Sequence, residues 1–169
     1  MKGKMRPVFL GIGGNLVPDG FATVRDGCAA AIDMLAETGF SDIRRSNWYE
    51  TAPVPVSDQP WYVNAVIAAQ TSLVPEDVLA ALHHVEAQFG RTRSVRNAAR
   101  VLDIDLLDFD GLISDSSDLT LPHPRMHERA FVLLPLRDVA PGWRHPVLKT
   151  DIAAMMAAMP AGQDIRRAD

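Results

Sequence analysis

The sequence predicts an α+β domain, a mixed and largely antiparallel sheet with flanking helices, and three observations carry that prediction. Residues 61–71 and 101–109 are runs of branched and apolar side chains that alternate with period two, as strands do. Residues 21–38 and 75–90 repeat their apolar residues at helical spacing. Asp110-Gly111 closes the second strand run with a hairpin signal. A chain of 169 residues, 47% hydrophobic, supports one domain over residues 1–169, with a polar tail at 161–169 expected to fray. The formal net charge of -4 argues against a general nucleic-acid coat, so any basic cluster should serve a small anion. Cys28 is the one cysteine; no internal disulfide can form, and its apolar helical setting marks it as a small buried residue.

In chain order, residues 7–12 form a first strand ending at Gly13-Gly14-Asn15, read as a tight turn with φ above zero. The basic start precedes too short an apolar run for a signal h-region or a membrane span, so the protein is expected to stay in the cytoplasm. Neither the Gly-Lys-Ser/Thr of a phosphate loop nor a dinucleotide fingerprint follows the glycines, so any nucleotide must be held elsewhere. The helix at 21–38 carries Val24, Cys28, Ala31, Ile32 and Leu35 and stops at Gly39, where a C-terminal cap belongs. Residues 40–49 alternate imperfectly and fit an edge strand. Pro53, Pro55 and Pro60 stiffen 50–60 into a loop of the kind that lines sites.

The central strand at 61–71 puts Tyr62, Asn64, Val66 and Ala68 on one face and Val63, Ala65, Ile67 and Ala69 on the other. Asn64, a polar group in an apolar strand, either ties down a neighbouring loop or reads a ligand edge. Pro75 opens a second helix striped by Val78, Leu82, Val85 and Phe89 and closed by Gly90. Glu86, His83 and His84 lie off that stripe, and without cysteine partners the histidines do not read as zinc ligands. Beyond the 101–109 strand, 112–114 is expected to be the hairpin's short partner and Ser116-Ser117-Asp118 a polar turn. His123, held between Pro122 and Pro124, is either an exposed loop histidine or a donor fixed for phosphate. After the apolar run 131–136, Thr150 caps a last helix with Ile152, Met155, Met156 and Met159 on one face, ended by Pro160.

Chemistry concentrates in residues 90–109. Arg91, Arg93, Arg96 and Arg100 lead into a strand where Asp103 and Asp105 share one face and Leu102, Ile104 and Leu106 the other. Same-face neighbours lie ~7 Å apart, near enough for two carboxylates to converge on hard cations such as Mg2+. Planar guanidinium forks suit phosphate oxygens. The pattern reads as a triphosphate and metal site; the bland alternative is a solvated acidic sheet face with arginines paired to it.

Several motifs in a fixed order sharpen this. They are Gly11-Ile12-Gly13-Gly14-Asn15-Leu16, Tyr49-Glu50-Thr51 with Asp58-Gln59-Pro60 and Tyr62-Val63-Asn64-Ala65, Glu86 five before Arg91, Arg100-Val101-Leu102-Asp103-Ile104-Asp105-Leu106, and Leu121-Pro122-His123-Pro124-Arg125-Met126. With them the chain resembles the 6-hydroxymethyl-7,8-dihydropterin pyrophosphokinase family of folate biosynthesis. The resemblance implies a ferredoxin-like α+β fold and transfer of pyrophosphate from ATP to the pterin hydroxymethyl group, releasing AMP. It implies that Asp103 and Asp105 hold two Mg2+ ions and that Arg91 and Arg100 steady the transferred group. His83, Glu86, Leu106, Thr120, His123 and Arg129 would serve the nucleotide beside those arginines. Thr51, Val54, Tyr62, Asn64, Asp103 and Phe131 would frame the pterin, with Tyr62 and Phe131 as stacking faces. Many members carry Trp-Gly-Pro where this chain has Asn97-Ala98-Ala99. A monomer acting on small molecules, without nucleic acid or membrane, is expected. Two rivals stand beside this reading: another two-metal nucleotidyl or phosphoryl transferase, and a nucleic-acid-binding ferredoxin-like module. The second would want clustered aromatics and a broad basic face, which the composition does not supply.

Overall fold

The structure is a computed structural model, and it describes residues 3–53, 55–90 and 101–168. From the N-terminus the chain lays down β1 (Arg6–Gly14), climbs α1 (Val24–Ala36) and returns as β2 (Phe40–Arg45) and β3 (Trp48–Thr51). It then builds the long β4 (Tyr62–Thr71), α2 (Pro75–Gln88) and β5 (Asp103–Phe109). A small ribbon, β6 (Ser114–Asp115) and β7 (Thr120–Leu121), precedes α3 (Ala130–Val139), α4 (Ile152–Ala158) and a last strand, β8 (Ile165–Ala168). The six-stranded sheet runs β5-β1-β4-β3-β8, with β2 also on β4. Every pairing among the described residues is antiparallel, a sharper result than the mixed, largely antiparallel sheet expected. The class is α+β, with the four α-helices of the described residues flanking the sheet.

β4 is the hub because it is apolar on both faces and long enough to pair with β1 on one side and with β2 and β3 in succession on the other. Its alternation runs as the sequence requires. Ala65, Ile67 and Ala69 join the core under α1 and α2, while Val66 and Ala68 join a second core under α3 and α4. α1 starts at Thr23, whose Oγ1 accepts a hydrogen bond from the Asp26 amide at 3.0 Å, and buries Cys28, Ala31 and Leu35. Burial pushes the Cys28 thiol up to about 12, which leaves it inert.

Several expectations are corrected. Gly13 and Gly14 lie inside β1 and are not among the residues with positive φ, so no tight turn occurs there. The stretch 40–49 is two strands, because Ser46 breaks the ladder. Its Oγ accepts from the Val66 amide at 2.9 Å, and its own amide donates to the Val66 carbonyl at 2.9 Å. Asp110 and Gly111 do form a positive-φ turn, but the segment beyond pairs with β7 and not back onto β5. The last helix is capped by Asp151, whose Oδ1 takes the Ala154 amide at 2.8 Å; Thr150 is one residue too early. Residues 165–168 of the stretch expected to fray pair with β3 as β8, since the exposed edge of β3 offers a ladder to a chain end that reaches it.

Candidate functional site

Two registers bring the site together. Gly13 on β1 stands opposite Asp103 on β5 and opposite Asn64 on β4, so Asp103, Gly13 and Asn64 form one row across three adjacent strands. Gly11 stands likewise between Asp105 and Val66. Residues in such a row share a face, so Asp103, Asp105 and Asn64 project from the side of the sheet that carries α3. The glycines leave the middle of the row bare. A Cβ on Gly13 would lie 2.3 Å from Asn64 Oδ1 and 2.9 Å from the Val63 carbonyl oxygen, an impossible approach. That is why glycine is needed there, in place of the turn role expected for it. Asn64, buried, donates from Nδ2 to Thr51 Oγ1 at 2.7 Å, and Thr51 faces Tyr62 in the β3–β4 register. Of the two roles open to Asn64, the structure shows the tie to a neighbouring strand.

β5 supplies the acids because its two faces meet different neighbours. Ile104 and Leu106 pack under α2, leaving Asp103 and Asp105 half-buried on the other side. They border an open cleft of about 410 Å3 lined by His83, Glu86, Leu106, Asp118, Thr120, His123 and Arg129, among others. This brings the expected nucleotide residues of the described chain, His83, Glu86, Leu106, Thr120, His123 and Arg129, around both aspartates. Sequence reading missed Asp118, assigned to a polar turn, and Leu119, given no role; their adjacency to Thr120 was the available signal.

Glu86, off the apolar stripe of α2, is nevertheless 2% exposed, and its Oε2 accepts from the Ile104 amide at 2.9 Å. The carboxylate thereby satisfies a backbone donor on the free edge of β5, between the two aspartates. His123 is half-buried, and its Nδ1 accepts from the Arg125 amide at 3.2 Å. The neutral ring therefore carries its hydrogen on Nε2. Burial, then the Arg129 charge, hold its pKa down to about 4 against the opposing pull of Asp103, so the ring is a neutral donor near pH 7. Burial also lowers the Arg129 pKa, which Asp105 and Asp103 oppose. Its guanidinium carbon lies 5.3 Å from the Phe131 ring centroid, so Arg129 stands between the acids and the aromatic expected to face the pterin.

Arg91, Arg93, Arg96, Arg100, Val54 and the Asn97-Ala98-Ala99 departure lie outside the described residues. Among the described residues no cluster of three or more His, Cys, Asp or Glu could hold a metal ion. Two carboxylates at an open cleft instead suit Mg2+, which keeps water and binds through one or two carboxylates plus substrate phosphates. No helix among the described residues is long and apolar enough to cross a membrane.

The antiparallel α+β sheet carries at one edge a cleft lined by two aspartates and Arg129, a set of side chains that suits a polyanion carried with a hard cation. The family model described as 7,8-dihydro-6-hydroxymethylpterin-pyrophosphokinase matches residues 9–141, and the chain belongs to that family. Among its relatives, the 2-amino-4-hydroxy-6-hydroxymethyldihydropteridine pyrophosphokinase of Methylorubrum extorquens is 40% identical over 138 residues, 81% of this chain and 84% of that protein. The protein of the same name from Pseudomonas aeruginosa is 40% identical over 142 residues, 82% of this chain and 83% of its own length. The folic acid synthesis protein FOL1 of Dictyostelium discoideum is 40% identical over 117 residues, and the chain spans only 18% of its length.

Proposed function

We propose that this protein is an ATP-dependent pyrophosphokinase of folate biosynthesis. It would transfer the terminal diphosphate of ATP to the hydroxymethyl group of 6-hydroxymethyl-7,8-dihydropterin. The observation that carries this reading is the row Asp103–Gly13–Asn64, which sets a nucleotide-sized cleft beside the strand pair holding Thr51, Tyr62 and Asn64. Family membership and the names of the relatives support the same reaction. The chain would act as one domain, on small molecules and as a monomer.

In this reading the pterin hydroxyl oxygen forms a bond to the β-phosphorus of ATP. The bond from that phosphorus to the α,β-bridging oxygen breaks, AMP leaves with the oxygen, and the hydroxyl proton passes to solvent. Positioning and charge neutralisation supply the catalysis, with no protein nucleophile. Asp103 and Asp105 would hold two Mg2+ ions, which supply Lewis-acid neutralisation along the triphosphate. His123 offers Nε2–H to a phosphate oxygen without adding or losing a proton, and Arg129 adds fixed positive charge beside it. Arg91 and Arg100 are assigned to the transferred group. Thr51, Val54, Tyr62, Asn64 and Phe131 frame the pterin, and the Thr51 hydroxyl fixes which way the Asn64 amide faces. Incubation with ATP, Mg2+ and the hydroxymethyl pterin tests the proposal. Pterin-dependent AMP is expected, and stoichiometric ADP would overturn it in favour of a phosphoryl transferase.

A further inference from the structure

The last strand does more than cover an edge. β8 pairs with β3 in a register that sets Arg166 opposite Glu50 and Ile165 opposite Thr51, and the Ala52 amide extends the contact by donating to the Asp164 carbonyl at 3.0 Å. From that position the Arg166 side chain makes two kinds of contact. Its Nε and Nη2 lie 2.8 and 2.7 Å from Glu50 Oε2, and its guanidinium carbon sits 4.7 Å from the centroid of the Trp61 ring. Glu50 precedes Thr51 at the end of β3, and Trp61 precedes Tyr62 at the start of β4. Thr51 and Tyr62 face each other in the β3–β4 register. One guanidinium thus reaches from β8 across β3 and touches both ends of the connection between Thr51 and Tyr62.

Strand alternation puts Glu50 and Arg166 on the sheet face opposite that of Thr51 and Asn64, so this contact acts from behind the strands without reaching a substrate. On the other flank, Asn15 Nδ2 donates to Gln59 Oε1 and to the Pro60 carbonyl, both at 3.1 Å. Asn15 fixes that flank of the connection to the end of β1. The neck itself has Arg166.

We propose that Arg166 is a positioning residue that latches the neck of the β3–β4 connection and so holds that connection in place beside Thr51 and Tyr62, where an uncharged ring would sit. The proposal rests on the pterin reading given above for its substrate, and on the contacts alone for the latch. Both contacts are partly solvated, with the Arg166 side chain 67% exposed and that of Glu50 34%, so the effect is graded and not all-or-none.

Two measurements test it. On substrate-free protein, Arg166→Ala should speed amide hydrogen exchange at residues 55–61 while the melting temperature stays close to that of the parent. In steady-state assays the same variant should raise KM for the pterin about three- to tenfold, the size expected of one exposed ion pair and one cation–π contact, and leave KM for ATP unchanged. Trp61→Leu should reproduce the pterin effect, and the double variant should add nothing to either single one. Unchanged exchange at 55–61, equal rises in both KM values, or additive effects in the double variant would each overturn the latch. If the parent protein forms no pterin-dependent AMP, the substrate reading fails, while the exchange measurement still decides whether Arg166 holds the neck.

Discussion

The two faces of the sheet are built from the same strands and do different work. Under α1 and α2 the face is closed by one continuous cluster, from Val8, Leu10 and Ile12 on β1 through Ala65 and Ile67 on β4 to Ile104 and Leu106 on β5. Under α3 and α4 the apolar cluster keeps to the end of the sheet that carries Val66, Ala68 and Leu107. At the other end of that face Asp103, Asp105, Asn64 and Thr51 replace apolar residues, and Gly11 and Gly13 leave β1 without side chains between them. The site occupies the half of a face that the helices do not fill. β5 repeats the lesson within a single strand. A bulge at the β1–β5 register shift lets Leu106 and Phe109, three residues apart, both enter the first core. Asp108 is then 3% exposed, its Oδ2 accepts from the Gly111 amide at 3.3 Å, and burial raises its carboxyl pKa. That aspartate supports the turn, whereas the half-exposed Asp103 and Asp105 border the cleft.

The division between faces predicts that substitutions at adjacent residues of β5 fail in opposite ways. Asp105→Ala is expected to lower turnover on the order of a thousandfold or more, the scale of losing a few kcal/mol of electrostatic stabilisation. Its unfolding free energy without Mg2+ should stay within about 0.5 kcal/mol of the parent, because the loss of attraction to Arg129 is offset by relief of repulsion from Asp103. Ile104→Ala, one residue away and facing the first core, should cost about 2–5 kcal/mol in urea unfolding and leave turnover per folded molecule close to normal. A catalytically silent Asp105→Ala, or a stable but inactive Ile104→Ala, would erase the contrast.

Gly13→Ala probes the bare strip between Asp103 and Asn64. With its Cβ 2.3 Å from Asn64 Oδ1, the variant must push the amide aside or part the strands, at about 1–3 kcal/mol. Pterin KM should rise with it. Gly142→Ala is the control, since a Cβ there meets nothing within 4 Å, and it should change stability by less than about 0.5 kcal/mol. Equal costs for the two glycines would mean that β1 yields at Gly13.

Much of this was legible from periodicity. The faces of β4, the stripes of α1 and α2 and the shared face of Asp103 and Asp105 follow from spacing alone, because burial imposes it locally. What escaped depends on partners distant in sequence. Gly13 reads as a turn residue until Asn64 is placed across from it. Glu86 reads only as a residue off an apolar stripe until the Ile104 amide, eighteen positions on, arrives to pair with its carboxylate. Ser46 breaks a strand by offering its hydroxyl, in place of a backbone carbonyl, as acceptor to the Val66 amide of β4, and no local pattern announces that. β8 was invisible because a short polar segment such as Ile165-Arg166-Arg167-Ala168 becomes a strand only when an edge is there to receive it.

The smallest effect tests whether the cleft holds His123 as a neutral donor. Burial keeps its pKa down at about 4, against ~6.5 for an unhindered histidine. Between those values the unfolded chain takes up a proton that the folded chain refuses. Stability therefore rises with pH across that window and is lost as the pH falls from 6.5 toward 4. His123→Gln removes this linkage while keeping a hydrogen-bonding side chain of similar reach. His145, whose pKa burial also lowers, is present in both proteins and cancels in the comparison. Urea unfolding of the two proteins at pH 6.5 and pH 4.5 should show the parent losing on the order of 1 kcal/mol more than the variant. Parallel losses would mean that the imidazole protonates freely in the folded state, in which case His123 would bring a positive charge to the cleft below neutrality and binding of a triphosphate would tighten, not hold level, as the pH falls.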